Sequence, residues 1–168
     1  MKTLIHIRKE HLKFSAAHMT VFPDGTKEAL HGHNYQVGLS VELKKTDFKN
    51  MISFSEFKKT LKSLTANWDE KVLLATKNPF FKVLSQNKKT IEFSLCDKKY
   101  ALPLDEVELL PLENISSEAL AQHLLALWIK GMSEKLLKKV SYSVSLRVDE
   151  SPGQGASAIQ DFHSPKVL

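Results

Sequence analysis

The sequence contains a single cysteine, Cys96, among 168 residues. No intrachain disulfide is possible, and metal sites built from paired thiolates are excluded. Any metal must be held by histidine and carboxylate. Long apolar runs are also missing: none approaches the roughly 20 residues of a membrane-spanning helix, and the opening MKTLIHIRKEHLKF has no uninterrupted apolar core of the signal-peptide kind. The expectation is a cytoplasmic protein without a membrane partner. No repeat, low-complexity tract or arginine-aromatic stripe occurs, so nucleic acid is not an expected partner despite the net charge of +5. The lysines come in scattered pairs, at Lys44, Lys58, Lys88, Lys98 and Lys138, which describes a solvated surface and also suits an anionic small substrate.

What is present is one domain's worth of core, with 42% hydrophobic and 26% charged residues. From His6 to His18 the pattern alternates, with Leu12, Phe14, Ala16 and then His18 in one phase; from His31 to Leu43 it alternates again, with His31, His33, Tyr35, Val37, Leu39 and Val41 in one phase. The period then changes. Phe54, Phe57, Leu61, Leu64 and Trp68 recur at helical spacing behind Ser53 and Glu56, a capping-box pair, and SSEALAQHLLALWIKGM writes a second helix with Leu120, Leu124, Leu127 and Trp128 on one face. Between the helices, a stretch at about 75–112 is expected to be a surface hairpin turning at Asp97 to Lys99. A third long strand alternates from Val140 to Val148, and Ala156 to Phe162 returns beside it. The order predicts an α+β fold with an antiparallel four-stranded sheet and two helices between its second and third strands.

Two features depart from ordinary patterning. His31 and His33 project to the same side of one strand, and His18 stands in the same phase on the neighbouring strand, so three imidazoles can share one metal ion and leave a fourth position open. An isolated H-x-H is more often a satisfied polar pair; the third in-phase histidine shifts the balance. Glu150 falls in the buried phase at the end of the last long strand, where a carboxylate either escapes to water or binds a ligand.

FSAAH at Phe14 to His18, LHGHNYQV at Leu30 to Val37, SSEALA at Ser116 to Ala121 and VDESPGQGA at Val148 to Ala156 resemble, in order and spacing, the signatures of the 6-pyruvoyl-tetrahydropterin synthase and 6-carboxytetrahydropterin synthase family. The resemblance implies a tunnelling fold, in which the sheets of several subunits join into a barrel and the chain assembles as a homo-oligomer, a hexamer. It further implies that His18, His31 and His33 bind zinc and that Glu150 anchors a pterin ring with help from Ser116 and Ser117.

The chain departs from that pattern at the proton-handling positions. No cysteine precedes the H-G-H, but Glu28 stands three residues before His31, and this E-x-x-H-G-H pattern resembles a folate-pathway branch whose product is 6-hydroxymethyl-7,8-dihydropterin. In NWDEKVLL, Asp69 is retained and Glu70 takes the place of a histidine, while Ser53 replaces an aspartate often found before the first helix. The resemblance therefore implies a lyase that cleaves the side chain of 7,8-dihydroneopterin triphosphate, with Glu28, Asp69 and Glu70 as candidate catalytic groups. Such a cleavage needs a base, and Glu28 suits that role if burial raises its pKa toward neutrality. A 6-carboxytetrahydropterin or 6-pyruvoyl-tetrahydropterin synthase and a pterin-binding protein without turnover are the alternative readings. By ordinary patterning, Glu28 is a solvated loop residue beside Lys27, Asp69 and Glu70 are helix-end polarity, His123 is a packing residue and Cys96 is a non-catalytic thiol in a turn.

Overall fold

The computed structural model describes residues 2–51, 53–132 and 134–162. Two long strands, β1 (Thr3–His18) and β2 (His31–Leu43), form the centre of a sheet, paired antiparallel from Thr3 opposite Leu43 to His18 opposite His31. Strand β8 (Ser141–Ser151) pairs with the far side of β2, and β9 (Gln154–Asp161) pairs with β8. These are the four antiparallel strands expected from the alternation.

The sheet is nonetheless six-stranded. Two short strands, β3 (Lys71–Ala75) and β7 (Val107–Leu110), add to the free side of β1 in the order β7-β3-β1-β2-β8-β9. β3 runs parallel to β1 and meets it only at Ala16 and Ala17, and β7 runs parallel to β3. At five and four residues, KVLLA and VELL are too short and too continuously apolar to show a period of two. The stretch at 75–112 also divides differently from a simple hairpin. β4 (Phe81–Gln86), β5 (Thr90–Leu95) and β6 (Lys98–Pro103) form a separate three-stranded antiparallel sheet, while β7 belongs to the main one. Cys96 and Asp97 make the β5–β6 turn with positive φ of 49° and 59°. The small sheet buries Ile91, Phe93 and Leu95 against Met19, Val21, Leu74 and Val107.

Helices α1 (Phe54–Ala66) and α2 (Ser117–Gly131) cover one face of the main sheet. Ser53 caps α1 by accepting from the Ser55 N–H, and Phe57, Leu61 and Trp68 are buried, whereas Phe54 at the first turn faces water. Leu120, Leu124 and Trp128 of α2 are fully buried, and the Trp128 indole N–H donates to the Phe57 carbonyl at 3.2 Å, tying the helices together. Burying each such side chain contributes about 1.5–3 kcal/mol, which ties the phase of both helices to the inward rows of β1, β2 and β8. A short helix, α3 (Glu134–Val140), takes up Val140 and delays the start of β8 by one residue relative to the alternation.

Candidate metal and ligand site

The inward row of β2 is polar at its start and apolar thereafter: His31 and His33 precede the buried Tyr35, Val37, Leu39 and Val41. His18 ends β1 directly opposite His31. The register therefore gathers three imidazoles at one end of the sheet, with ring centroids 4.6, 4.9 and 5.4 Å apart and one nitrogen from each ring within 4.8 Å of the others.

Hydrogen bonds at the rear of two rings set which nitrogen faces inward. His18 Nδ1 lies 3.0 Å from the Ile115 carbonyl oxygen, and His31 Nδ1 lies 2.8 Å from the Ala29 carbonyl oxygen. A carbonyl only accepts, so both Nδ1 atoms carry the proton and both Nε2 atoms present a lone pair. His18 Nε2 is buried and meets no hydrogen-bond partner among the described residues. Burial, foremost, with the neighbouring His31 and His33, holds the His18 pKa below the ordinary imidazole value, although its bond to Ile115 opposes this. A neutral, desolvated imidazole with an unpartnered lone pair beside two others is a donor set that fits a divalent metal of the zinc type.

The loop from β1 to β2 folds back on itself. Gly25 at φ 82° makes the turn, Asp24 accepts from the backbone and hydroxyl of Thr26, and Val21 bridges Lys27. The Glu28 N–H then donates to the Thr20 carbonyl at 2.9 Å, which brings the Glu28 carboxylate to 3.9 Å from His31 Nε2. Asn114 accepts from the Val21 N–H and donates to its carbonyl, locking this loop to the start of α2.

The Glu28 side chain is 43% exposed. Burial does not raise its pKa overall: the Thr20 hydroxyl, foremost, holds the carboxyl below its usual range, with His31 and His18 adding to the effect. Glu28 is a carboxylate at neutral pH.

A cleft of about 400 Å³ joins these groups to Glu150, Ser116, Ser117 and Glu118, with Thr20, Phe22, Gln154 and Gly155 completing its wall. Ser116 caps α2 through the Ala119 N–H, whereas the Ser117 hydroxyl donates to Glu150 Oε2 at 3.2 Å. The Gln154 amide donates to Glu150 Oε1 at 2.5 Å. Gln154 carries no periodic signal in the sequence, being a turn glutamine; its proximity to Glu150 comes from the β8–β9 hairpin. Asp69 and Glu70 do not line this cleft. Asp69 accepts from the Ser15 N–H at 2.7 Å, and Glu70, at φ 58°, lies on a separate open groove that shares only His33 with the cleft. His123 stacks on Trp68, and Cys96 is remote in the small sheet, so neither lines the cleft.

Residues 6–160 match the family model for 6-pyruvoyl tetrahydropterin synthase. The chain belongs to that family. A protein of Methanocaldococcus jannaschii provisionally named 6-carboxy-5,6,7,8-tetrahydropterin synthase is 31% identical over 150 residues, which span 86% of this chain and 88% of the relative. The 6-pyruvoyl tetrahydropterin synthase of Plasmodium falciparum superposes with a TM-score of 0.87 at 27% identity, over 95% of this chain and 98% of that one. The synthase of Plasmodium vivax gives 0.88 at 22% identity, over 96% and 99%, and shows the shared fold. The family places the chain among the enzymes of pterin metabolism. None of its described helices is long and apolar enough to cross a membrane.

Proposed function

We propose that this protein is a zinc-dependent lyase that cleaves the side chain of 7,8-dihydroneopterin triphosphate to give 6-hydroxymethyl-7,8-dihydropterin. The observation that carries the reading is the juxtaposition of the Glu28 carboxylate, rather than a thiol, with the three converging imidazoles. His18, His31 and His33 hold the zinc. A bound zinc ion supplies Lewis acidity, lowering the pKa of a substrate hydroxyl.

Glu150 accepts hydrogen bonds from adjacent N–H groups of the pterin ring, a charge-assisted pairing, while Ser117 and Gln154 orient its carboxylate. Ring and side chain are thereby fixed relative to Glu28. Glu28 takes the proton of the side-chain hydroxyl, the adjacent carbon–carbon bond breaks to release the phosphorylated end as an aldehyde, the ring C=N accepts the electron pair, and a proton returned to the ring-bound carbon leaves the hydroxymethyl group. The low pKa of Glu28 in the free protein means it begins unprotonated, as a base must. In the Plasmodium vivax synthase, two structures carry substitutions of a glutamate described as its catalytic residue, so a glutamate in that role has precedent within this fold.

Asp69 and Glu70 enter the proposal as groups acting across a subunit boundary, because within one chain they face away from the cleft. Among the described residues, strands β7 and β9 end the sheet with no strand on their outer edges, which supports closure by neighbouring subunits into a homohexamer. Sedimentation of a monomer at micromolar concentration would count against that assembly.

A second reading, formation of a 6-carboxytetrahydropterin, is favoured by the identity to the Methanocaldococcus jannaschii protein. Incubating the zinc-loaded protein with 7,8-dihydroneopterin triphosphate and identifying the product by mass spectrometry separates the two. A 6-hydroxymethyl product supports the lyase; a 6-carboxy or 6-pyruvoyl product replaces it. Pterin binding without any product would make the protein a binding module.

A further inference from the structure

The chain has two arginines, Arg8 and Arg147, against many lysines. Both grip one carboxylate. Arg147 Nε and Nη2 each lie 2.7 Å from Asp149 Oδ1, and Arg8 Nη2 lies 3.1 Å from Asp149 Oδ2. Asp149 is only 4% exposed although it points to the face of the sheet away from the helices. Arg8 sits on β1 and Asp149 on β8, with β2 between them. Gly38 of β2 is the register partner of both Arg8 and Arg147, so the row has no side chain at its middle, and Arg8 passes over it.

Asp149 immediately precedes Glu150, and the ladder is irregular there. Asp149 pairs with Gly155 and Ser151 with Gln154, which leaves Glu150 as an extra, unpaired residue on β8. A bulge re-aims a side chain, but its direction is only as firm as the residues pinned on either side. One pin, on Asp149, is close packing. A Cβ on Gly155 would stand 2.3 Å from the Val148 carbonyl oxygen and 2.6 Å from Asp149 Cα, so β9 presses directly on the bulge. The second pin, on the same Asp149, is the double arginine grip.

We infer that Asp149, held by Arg8 and Arg147, is a positioning residue that fixes the bulge and so aims Glu150 at its ligand. The inference rests on the reading of Glu150 as the pterin anchor. A buried carboxylate with two guanidiniums is a costly way to fill space that an apolar residue fills more cheaply, whereas planar guanidiniums impose a direction that apolar packing does not. Pre-aiming Glu150 removes part of the ordering cost of ligand binding.

The test is a double-mutant cycle on the zinc-loaded protein, with neopterin as the fluorescent probe. Arg8→Met is the first variant, because Arg8 is the more exposed arm and Arg147 still pairs the carboxylate when it is removed. It is expected to weaken neopterin binding roughly fivefold in the parent and not at all in Glu150→Gln, with zinc content unchanged in both. Arg8→Lys keeps a charge without the planar fork; it is expected to show a smaller loss with the same disappearance, and it carries the test if Arg8→Met folds poorly. Equal losses in both backgrounds, or no loss in either, would overturn the inference while leaving the anchor reading intact. If Glu150→Gln alone binds neopterin as the parent does, the anchor reading falls and takes the inference with it.

Discussion

His18 donates from Nδ1 to the Ile115 carbonyl at 3.0 Å, and its opposite nitrogen is buried with no partner among the described residues. Ile115 is the residue just before the α2 cap, so the start of one helix holds a strand histidine in the tautomer that a metal requires. A buried lone pair left unmatched costs about 1–3 kcal/mol, which a bound cation recovers.

The first prediction follows directly. The purified protein should contain about one zinc per chain, and His31→Ala combined with His33→Ala should abolish it. Elemental analysis of both proteins checks this; unchanged metal content in the double variant would reject the site.

Acid should weaken the metal-free fold. The His18 pKa is lowered in the folded chain, so the unfolded chain binds the extra proton first. Stability from this group is complete above the unfolded value of about 6.5 and is lost as pH falls toward the lower folded value. His123, also lowered, chiefly by burial, adds with the same sign. Thermal melts of chelator-treated protein between pH 7.5 and 5 should show a falling Tm, and a Tm that rises on acidification would contradict the burial of neutral His18.

Glu150 and Glu28 should fail differently. Glu150→Gln places a donor where an acceptor is needed and should weaken pterin binding by roughly 1.5–3 kcal/mol. Glu28→Gln should leave pterin and zinc binding largely intact and lower single-turnover rate by on the order of a hundredfold. Equal rates in Glu28→Gln and the parent would remove Glu28 from the chemistry.

The Tyr35 hydroxyl is buried without a hydrogen-bond partner among the described residues, and burial, with the Glu150 and Glu28 charges, pushes its pKa up. Tyr35→Phe should therefore leave the metal-free, ligand-free protein equally stable or raise its Tm by about 2–4 °C, by relieving roughly 1 kcal/mol of desolvation. A Tm lowered by the same amount would show that the hydroxyl is already satisfied, by water.

Gly155 should tolerate no side chain. Gly155→Ala forces a Cβ into the Val148 carbonyl and the Asp149 backbone, so β9 must shift or the bulge must open. Denaturant melts should show a loss of about 1–3 kcal/mol, the usual cost of overpacking, together with weakened pterin binding.

The long strands, both main helices and the three histidines were legible in the sequence because each depends on periodicity, and burial enforces periodicity over many residues. His18, His31 and His33 share a phase with Phe14 and Tyr35, and a one-residue slip would turn the whole row to the other face. The order of four motifs was enough to identify the family. Tertiary structure alone decided the rest, for one physical reason: those features arise where chain segments distant in sequence meet. β3 and β7 are strands only because β1 offers an open edge, and their few residues carry no alternation of their own. Glu28 is exposed, as ordinary patterning reads it, but only the folded-back loop sets it beside His31 and gives it the Thr20 hydroxyl that lowers its pKa. Asp69, exposed at the surface, accepts from the Ser15 N–H and does not line the cleft. Arg8 and Asp149 lie 141 positions apart, and no local pattern links a pair that meets only because an unsubstituted glycine on the strand between them leaves the way clear.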